Sequence, residues 1–353
     1  MSPLGRQARQ PKRFVFSSVF RQEFMNHQSA TECASDGNPA NQLLAPINDF
    51  QSPQGWTDSA QKEQRANQCC AKLEEGEILF FDRIPFNFPE ADQQFLLMQR
   101  QSGSRLHKNI SYRPRQDKLR GSASDDKKDV ERLHQIMRSY SAEVTRFLSQ
   151  LLAPYAAGWS LDFASFRPEE EEGRDLALHK RNDLLHVDAF PTRPMHGRRI
   201  LRCFTNINPT QPRIWVTTSD RFSALARSFA EDAGLKKIAA RGDSGGGLWH
   251  GLKKMFGLKA VKHSAYDRFM LRFHDYLKEK SEFQQNCAKV RIEFPPGSTW
   301  ICFTDSVPHA VLSGQYALEQ TFIIPIGAHV TPEKSPIRIL EKIAGTSLAA
   351  QPA

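Results

Sequence analysis

From Trp159 to Phe322 the chain alternates short apolar runs with Pro, Gly and Asn. The runs span 159–166, 184–190, 199–207, 213–217, 289–294, 299–304 and 315–324. Short apolar segments punctuated by turn residues predict seven or eight strands in a sandwich or barrel. Upstream the period changes. Val130, Leu133, Met137, Tyr140, Val144, Phe147, Leu148 and Leu151 recur at helical spacing, which predicts a helix over 127–152. Ser124 and Asp125 are its candidate caps, and Pro154 follows its end. A short strand is expected at 77–81, and Pro89 opens a helix to about Gln99. Residues 221–232 and 265–279 read as helices, separated by the Gly-rich break at 242–247.

The pattern predicts an α+β protein. Residues 1–70, rich in Gln, Asn, Ser, Ala and Pro, lack a sustained apolar period and read as a disordered extension. Residues 71–158 form an N-terminal helical layer. Residues 159–328 form a β core with a helical insertion at 221–280, and 329–353 form a C-terminal tail.

Composition narrows the class. With 353 residues and 39% apolar content, a sizeable core can be built. No run of 18 apolar residues exists. Arg6, Arg9, Lys12 and Arg13 are followed by no apolar stretch, so a secretory signal is not expected. The six cysteines show no CxxC spacing, which speaks against a zinc knuckle and fits a reducing compartment, the cytoplasm. The net charge of +9 is concentrated. Residues 236–262 hold seven Lys/Arg and one acid, and residues 105–120 hold six and one. Each segment suits phosphates, carboxylates or an anionic membrane surface, or is simply a solvated basic face. Tyr112 is the one aromatic interleaved with the 105–120 charges, so no base-stacking platform for nucleic acid is evident.

The candidate chemistry lies in Leu184-Leu-His186-Val-Asp188-Ala-Phe190. On a strand, His186 and Asp188 point to one face. Of eleven histidines only His186 gives HxD. Some 120 residues later, a Pro-Gly turn, a strand and a polar loop lead to His309. Two His and one carboxylate that leave open positions are the non-haem iron(II) oxygenase donor set. The competing reading is a structural His186–Asp188 hydrogen bond with His309 as a loop residue. A keto-acid cosubstrate also needs a cation. No Lys or Arg occurs between His309 and Pro325, so the strand after His309 offers none. Arg202 is one candidate, on a strand whose parity groups Ile200, Arg202, Phe204 and Asn206; Arg167 is the other. Gln320 shares parity with Tyr316 and Leu318 and either lines the pocket or packs in the core.

Several stretches together resemble the Kdo 3-hydroxylase family. They are Lys108-Asn-Ile-Ser-Tyr-Arg-Pro114, Ser165-Phe-Arg-Pro168, His186-Val-Asp-Ala-Phe-Pro191, Gly197-Arg-Arg-Ile-Leu-Arg202, Phe204-Thr-Asn-Ile-Asn-Pro209, Pro296-Gly-Ser-Thr-Trp300 and Gly314-Gln-Tyr-Ala-Leu-Glu-Gln-Thr-Phe322. The resemblance runs from about residue 72 to 328. It implies a double-stranded β-helix (jelly-roll, cupin-like) and hydroxylation at C3 of 3-deoxy-D-manno-oct-2-ulosonic acid (Kdo) on the lipopolysaccharide inner core, giving Ko. It implies iron(II), 2-oxoglutarate and O2 as cofactor and cosubstrates. It places the metal on His186, Asp188 and His309, and pocket arginines at Arg167 and Arg202; strand parity adds Asn206 and Gln320 as further candidates for cosubstrate binding. The acceptor would be Kdo-lipid A or a precursor, met at the inner-membrane surface by a cytoplasmic, peripheral enzyme. The basic stretch holding Leu248, Trp249, Met255, Phe256 and Leu258 is the candidate membrane contact. The alternatives are a 2-oxoglutarate oxygenase acting on another anionic substrate, and a non-enzymatic barrel that binds an anionic glycan.

Overall fold

In the computed structural model the described residues are 42–102, 109–174, 176–241 and 262–349. Strands β1 (Leu44–Pro46), β2 (Phe50–Gln51) and β3 (Gly55–Trp56) precede helix α1 (Lys62–Glu74) and strand β4 (Ile78–Phe81). Helix α2 (Glu90–Leu97), strands β5 (Ile110–Arg113) and β6 (Lys118–Arg120) and helices α3 (Lys127–Leu151) and α4 (Ala153–Ala156) follow. Then come β7 (Ser160–Arg167), β8 (Arg199–Asn206) and β9 (Arg213–Thr218), and helices α5 (Phe222–Phe229), α6 (Leu235–Ala240), α7 (Ala265–Glu279) and α8 (Ser281–Asn286). Strands β10 (Lys289–Phe294), β11 (Thr299–Phe303), β12 (His309–Ser313) and β13 (Ala317–Ile324) and helix α9 (Pro336–Ala344) complete the order.

Eight strands form one sheet in the order β1-β4-β11-β8-β13-β7-β5-β6, and three form a second, β10-β9-β12. The two faces of the large sheet do different work. Leu201 and Cys203 of β8, with Ala164 and Phe166 of β7 and Leu318 and Phe322 of β13, pack under α1 and α3. The α3 residues Leu133, Met137, Tyr140, Val144, Phe147 and Leu151 form that helix's buried stripe. Its cap is Asp126, which accepts the Lys128 N–H at 2.8 Å, rather than Ser124 or Asp125. The opposite face of the large sheet meets the small one. Phe204 and Trp300 from the large sheet interleave with Trp215 and Phe294 from the small sheet; Phe294 and Trp300 stack at 4.0 Å, and Phe204 meets Trp215 at 5.0 Å. Along β10, Val290, Ile292 and Phe294 are buried while Lys289, Arg291 and Glu293 are exposed, the alternation of a strand with one wet face.

Four expectations change. Residues 42–70 are ordered: Leu43, Ala45, Phe50, Trp56, Cys69 and Cys70 are buried, so the extension as drawn ends too late. Its first 41 residues lie outside the described residues. The layer at 71–158 is not purely helical, because β4, β5 and β6 join the large sheet. The tail at 329–353 carries α9, whose Ile337 and Leu340 enter the core with Leu348. The 184–190 run forms no ladder. It makes one isolated bridge, His186 to His309, so the strand expected there is a single contact point. The membrane-contact stretch at 248–258 lies outside the described residues. Among the described residues no helix is long and apolar enough to cross a membrane.

Candidate metal centre

The segment carrying HxD runs antiparallel to β12. Val311 N–H donates to Asn182 O at 2.8 Å, and His186 and His309 exchange both backbone hydrogen bonds, at 3.2 and 2.9 Å. Residues paired in this way project to the same side, which brings the two imidazoles together. Their ring centroids lie 4.7 Å apart. Asp188, two residues on, is fixed by its own N–H donating to Thr304 O at 2.8 Å, in the loop between β11 and β12.

Each imidazole has a determined tautomer. His186 Nδ1 lies 2.7 Å from Leu184 O, and His309 Nδ1 lies 2.9 Å from Val307 O. A carbonyl only accepts, so both Nδ1 atoms carry the hydrogen and both Nε2 lone pairs are left free. Those Nε2 atoms lie 3.9 and 4.0 Å from the Asp188 carboxylate. One ligand atom from each of the three residues falls within a 4.8 Å cluster. Burial, then the neighbouring His309, holds the His186 imidazolium well below its ordinary value, and burial lowers His309 too. Burial pushes the Asp188 carboxyl up, but Arg202 and then the two histidines outweigh it and keep it ionised. Asp188 Oδ2 is buried with no hydrogen-bond partner. Two neutral imidazole nitrogens and an ionised carboxylate clustered together fit a divalent transition metal. Trp215 stacks against His309 at 5.2 Å, and the His274 ring meets His186 at 4.9 Å.

A chain of buried charges leads away from Asp188. Arg202 Nη2 lies 3.2 Å from Asp188 Oδ2, and its Nε lies 3.3 Å from Glu319. Arg167 donates to the other Glu319 oxygen at 2.5 Å and lies 3.7 Å from Glu171. Glu171 in turn meets Arg213 at 3.4 Å and Arg174 at 3.3 Å. Strand register explains the convergence: Thr321 pairs with Arg202, and Ala317 pairs with Arg167, so Glu319 stands between the two arginines on the same face.

Arg202 therefore stands beside Asp188, and Arg167 stands one carboxylate further out, across Glu319. Asn206 does not serve there. Its amide donates to the carbonyls of Gln211, Phe294 and Pro295, and its oxygen accepts from Asn208 N–H, so it ties β8 to the loop before β11. Gln320 is fully buried and donates to the carbonyls of Asp162 and Thr321. It faces the helix side with Leu318, away from Glu319, so packing is its role. Glu319 and Glu171 were missed by the sequence reading. The signal for Glu319 is an acid at alternate parity to Leu318 and Phe322 in a strand buried at every position.

A two-His-one-carboxylate cluster between two sheets, with the buried Arg202 beside its carboxylate, defines the class of non-haem iron(II) oxygenases. The chain belongs to the Kdo hydroxylase family: the model of the 3-deoxy-D-manno-oct-2-ulosonic acid (Kdo) hydroxylase matches residues 56–347. It is similar to a crystal structure of a Kdo hydroxylase, a non-haem Fe(II) α-ketoglutarate-dependent dioxygenase, in complex with cobalt(II). That similarity has 33% identity and a TM-score of 0.74, over 88% of this chain and 99% of that one. The same enzyme with α-ketoglutarate and Fe(III), and with succinate and Fe(III), matches at 32% identity and a TM-score of 0.73 over the same shares. No curated protein sequence matches the chain.

Proposed function

We propose that this protein hydroxylates Kdo, consuming 2-oxoglutarate and O2 with iron(II) held by His186, Asp188 and His309. The observation that carries the reading is the pair of free, tautomerically fixed Nε2 atoms facing the ionised Asp188 carboxylate, whose Oδ2 accepts no hydrogen bond and has only Arg202 beside it. The relatives' complexes with Fe(III), α-ketoglutarate and succinate support the cosubstrate. The core reads as a double-stranded β-helix. In chain order β7, β8, β11 and β13 go to the large sheet, and the 182–188 segment, β9, β10 and β12 to the small one, giving wall orders β11-β8-β13-β7 and β10-β9-β12-(182–188). This is the two-walled arrangement of a jelly roll.

Bound iron supplies the redox chemistry that couples 2-oxoglutarate decarboxylation to C–H hydroxylation. The protein's own groups do the positioning. Nδ1–H donation to Leu184 O and Val307 O holds both rings in their metal-ready tautomer. Arg202 and Arg167 supply guanidiniums for the far carboxylate of 2-oxoglutarate, and Glu319 orients both forks. The two sheets exclude bulk water. The acceptor is Kdo on lipid A or its precursor, the position oxidised is C3, and the enzyme works at the cytoplasmic surface of the inner membrane. The test is mass spectrometry of lipopolysaccharide core from cells with and without the gene. One added oxygen on Kdo is expected with the gene, and unmodified Kdo in both strains refutes the reading.

A further inference from the structure

Three arginines and two phenylalanines alternate outward from Asp188. The Arg202 guanidinium carbon lies 5.6 Å from the Phe190 ring centroid, and that of Arg193 lies 4.1 Å from the same centroid. Arg193 also covers Phe163 at 4.4 Å, and Arg113 meets Phe163 at 4.8 Å. The order is Arg202, Phe190, Arg193, Phe163, Arg113. Strand parity puts Arg113 on the site face: Ile110 and Tyr112 of β5 enter the helix-side core, so Ser111 and Arg113 face the other way. The segment following HxD brings Phe190 and Arg193 over that face.

Charge along this ladder is not balanced at its outer end. Arg202 meets Asp188 and Glu319, and Arg193 meets Asp162. Arg113 makes no ion pair among the described residues, and its Nε is buried without a hydrogen-bond partner. Burial, then Arg120 and Arg193, works against its charge. Stacking on an aromatic face stabilises each guanidinium and leaves its edge donors available to an oxyanion, all of them on Arg113 and those that Asp162 does not take on Arg193.

We propose that Arg113 and Arg193 form the subsite that grips the carboxylate of the acceptor sugar, with Phe163 and Phe190 spacing it from the metal ligands. This rests on the oxygenase reading above and adds the specificity determinant for its acceptor. The subsite is distinct from the Arg202–Arg167 pair assigned to 2-oxoglutarate, so the two carboxylates bind to separate cations.

The test separates binding from turnover. The protein loaded with Fe(II) and 2-oxoglutarate is titrated anaerobically by calorimetry with the methyl glycoside of Kdo and with its carboxamide. Wild type should bind the carboxylate about ten- to hundredfold more tightly than the carboxamide. Arg113→Gln and Arg193→Gln should each erase most of that preference while 2-oxoglutarate affinity stays within about twofold. Arg193→Lys, which keeps the charge and loses the fork, should fall between. Equal wild-type affinity for both glycosides, or variants that keep the full preference, overturns the proposal. Titration with glucosamine 1-phosphate covers the other oxyanion: variants that lose phosphate binding and keep carboxylate preference also overturn it. Wild type that binds the glycoside selectively yet adds no oxygen to it would refute the oxygenase reading and leave the subsite standing.

Discussion

Glu319 is the point where the charge chain can be cut with least change of shape. The residue is buried at 3% exposure and contacts Arg167 at 2.5 Å, Arg202 at 3.3 Å and the Thr321 hydroxyl at 3.0 Å. Glu319→Gln keeps the volume and removes the charge. Taking one partner from a buried ion pair costs about 3–5 kcal/mol, because the other charge stays desolvated. Here each arginine keeps a second carboxylate, Glu171 for Arg167 and Asp188 for Arg202. The expected loss is therefore at the lower bound, about 3 kcal/mol. At about 2 °C per kcal/mol for a domain of this size, the melting temperature should drop by roughly 6 °C. The pH dependence has a definite sign. Burial raises the Glu319 carboxyl, but Arg202 and Arg167 outweigh it and hold it below its ordinary 4.5. The stabilisation is thus complete above pH 4.5 and fades as pH falls through the lower folded value. The gap between wild type and Glu319→Gln should close on acidification. Metal-free protein followed by circular dichroism at several pH values measures both effects. A melting temperature within 1–2 °C of wild type at pH 7, or a gap that widens in acid, refutes the reasoning (the scale is that of about 1 kcal/mol or less).

Other outcomes follow from separate parts of the molecule. Asp188→Ala should weaken Fe(II) affinity and abolish 2-oxoglutarate turnover; succinate release at the wild-type rate would remove Asp188 from the ligand set. His329 packs against Tyr155 and Phe303, and both its ring nitrogens lack hydrogen-bond partners. Burial and then Arg199 hold it down at about 3, so the folded state resists its protonation, and stability is lost as pH falls below 6.5. His329→Phe should therefore gain about 2 kcal/mol on wild type between pH 7.5 and pH 5 in urea unfolding, and a pH-independent difference would contradict this. Gly314 precedes β13 at φ +125°, and a Cβ there would lie 2.9 Å from the Arg213 backbone. Gly314→Ala should lower the urea midpoint by the equivalent of about 3 kcal/mol with an unchanged m value.

The candidate cluster was legible because His186 and Asp188 keep the two-residue spacing of one strand face, although only a single bridge joins that run to β12. HxD parity and the turn-strand-loop before His309 located all three residues of the cluster; alternation grouped Ile200, Arg202, Phe204 and Asn206 on one face, and the contacts of Phe204 with Trp215 and of Arg202 with Asp188 make that face the inner one. Glu319 was not legible, since a carboxylate within a fully buried strand announces itself only through partners on other strands, and Glu171 was not, since it is one of four consecutive glutamates in the loop after β7. Asn206 and Gln320 had the right strands, but backbone carbonyls nearby claim their amides. The region 42–70 escaped because β1, β2 and β3 span two or three residues, too short for any period. The buried side of α1 is built from Ala66, Cys69, Cys70 and Leu73, small residues that leave a weak apolar stripe. The 184–190 run has a strand's composition, but its backbone bonds divide between β12 and Thr304, so no ladder forms.

The central claim is that the His186, Asp188 and His309 cluster drives oxygen insertion into Kdo. Its most direct test is purified protein with Fe(II), 2-oxoglutarate, a Kdo-bearing lipid A acceptor and isotopically labelled O2, read by mass spectrometry. One labelled oxygen on Kdo per succinate formed is expected, and neither product from His309→Ala. Unlabelled, unmodified Kdo with the wild-type protein, or labelled product from His309→Ala, would contradict it.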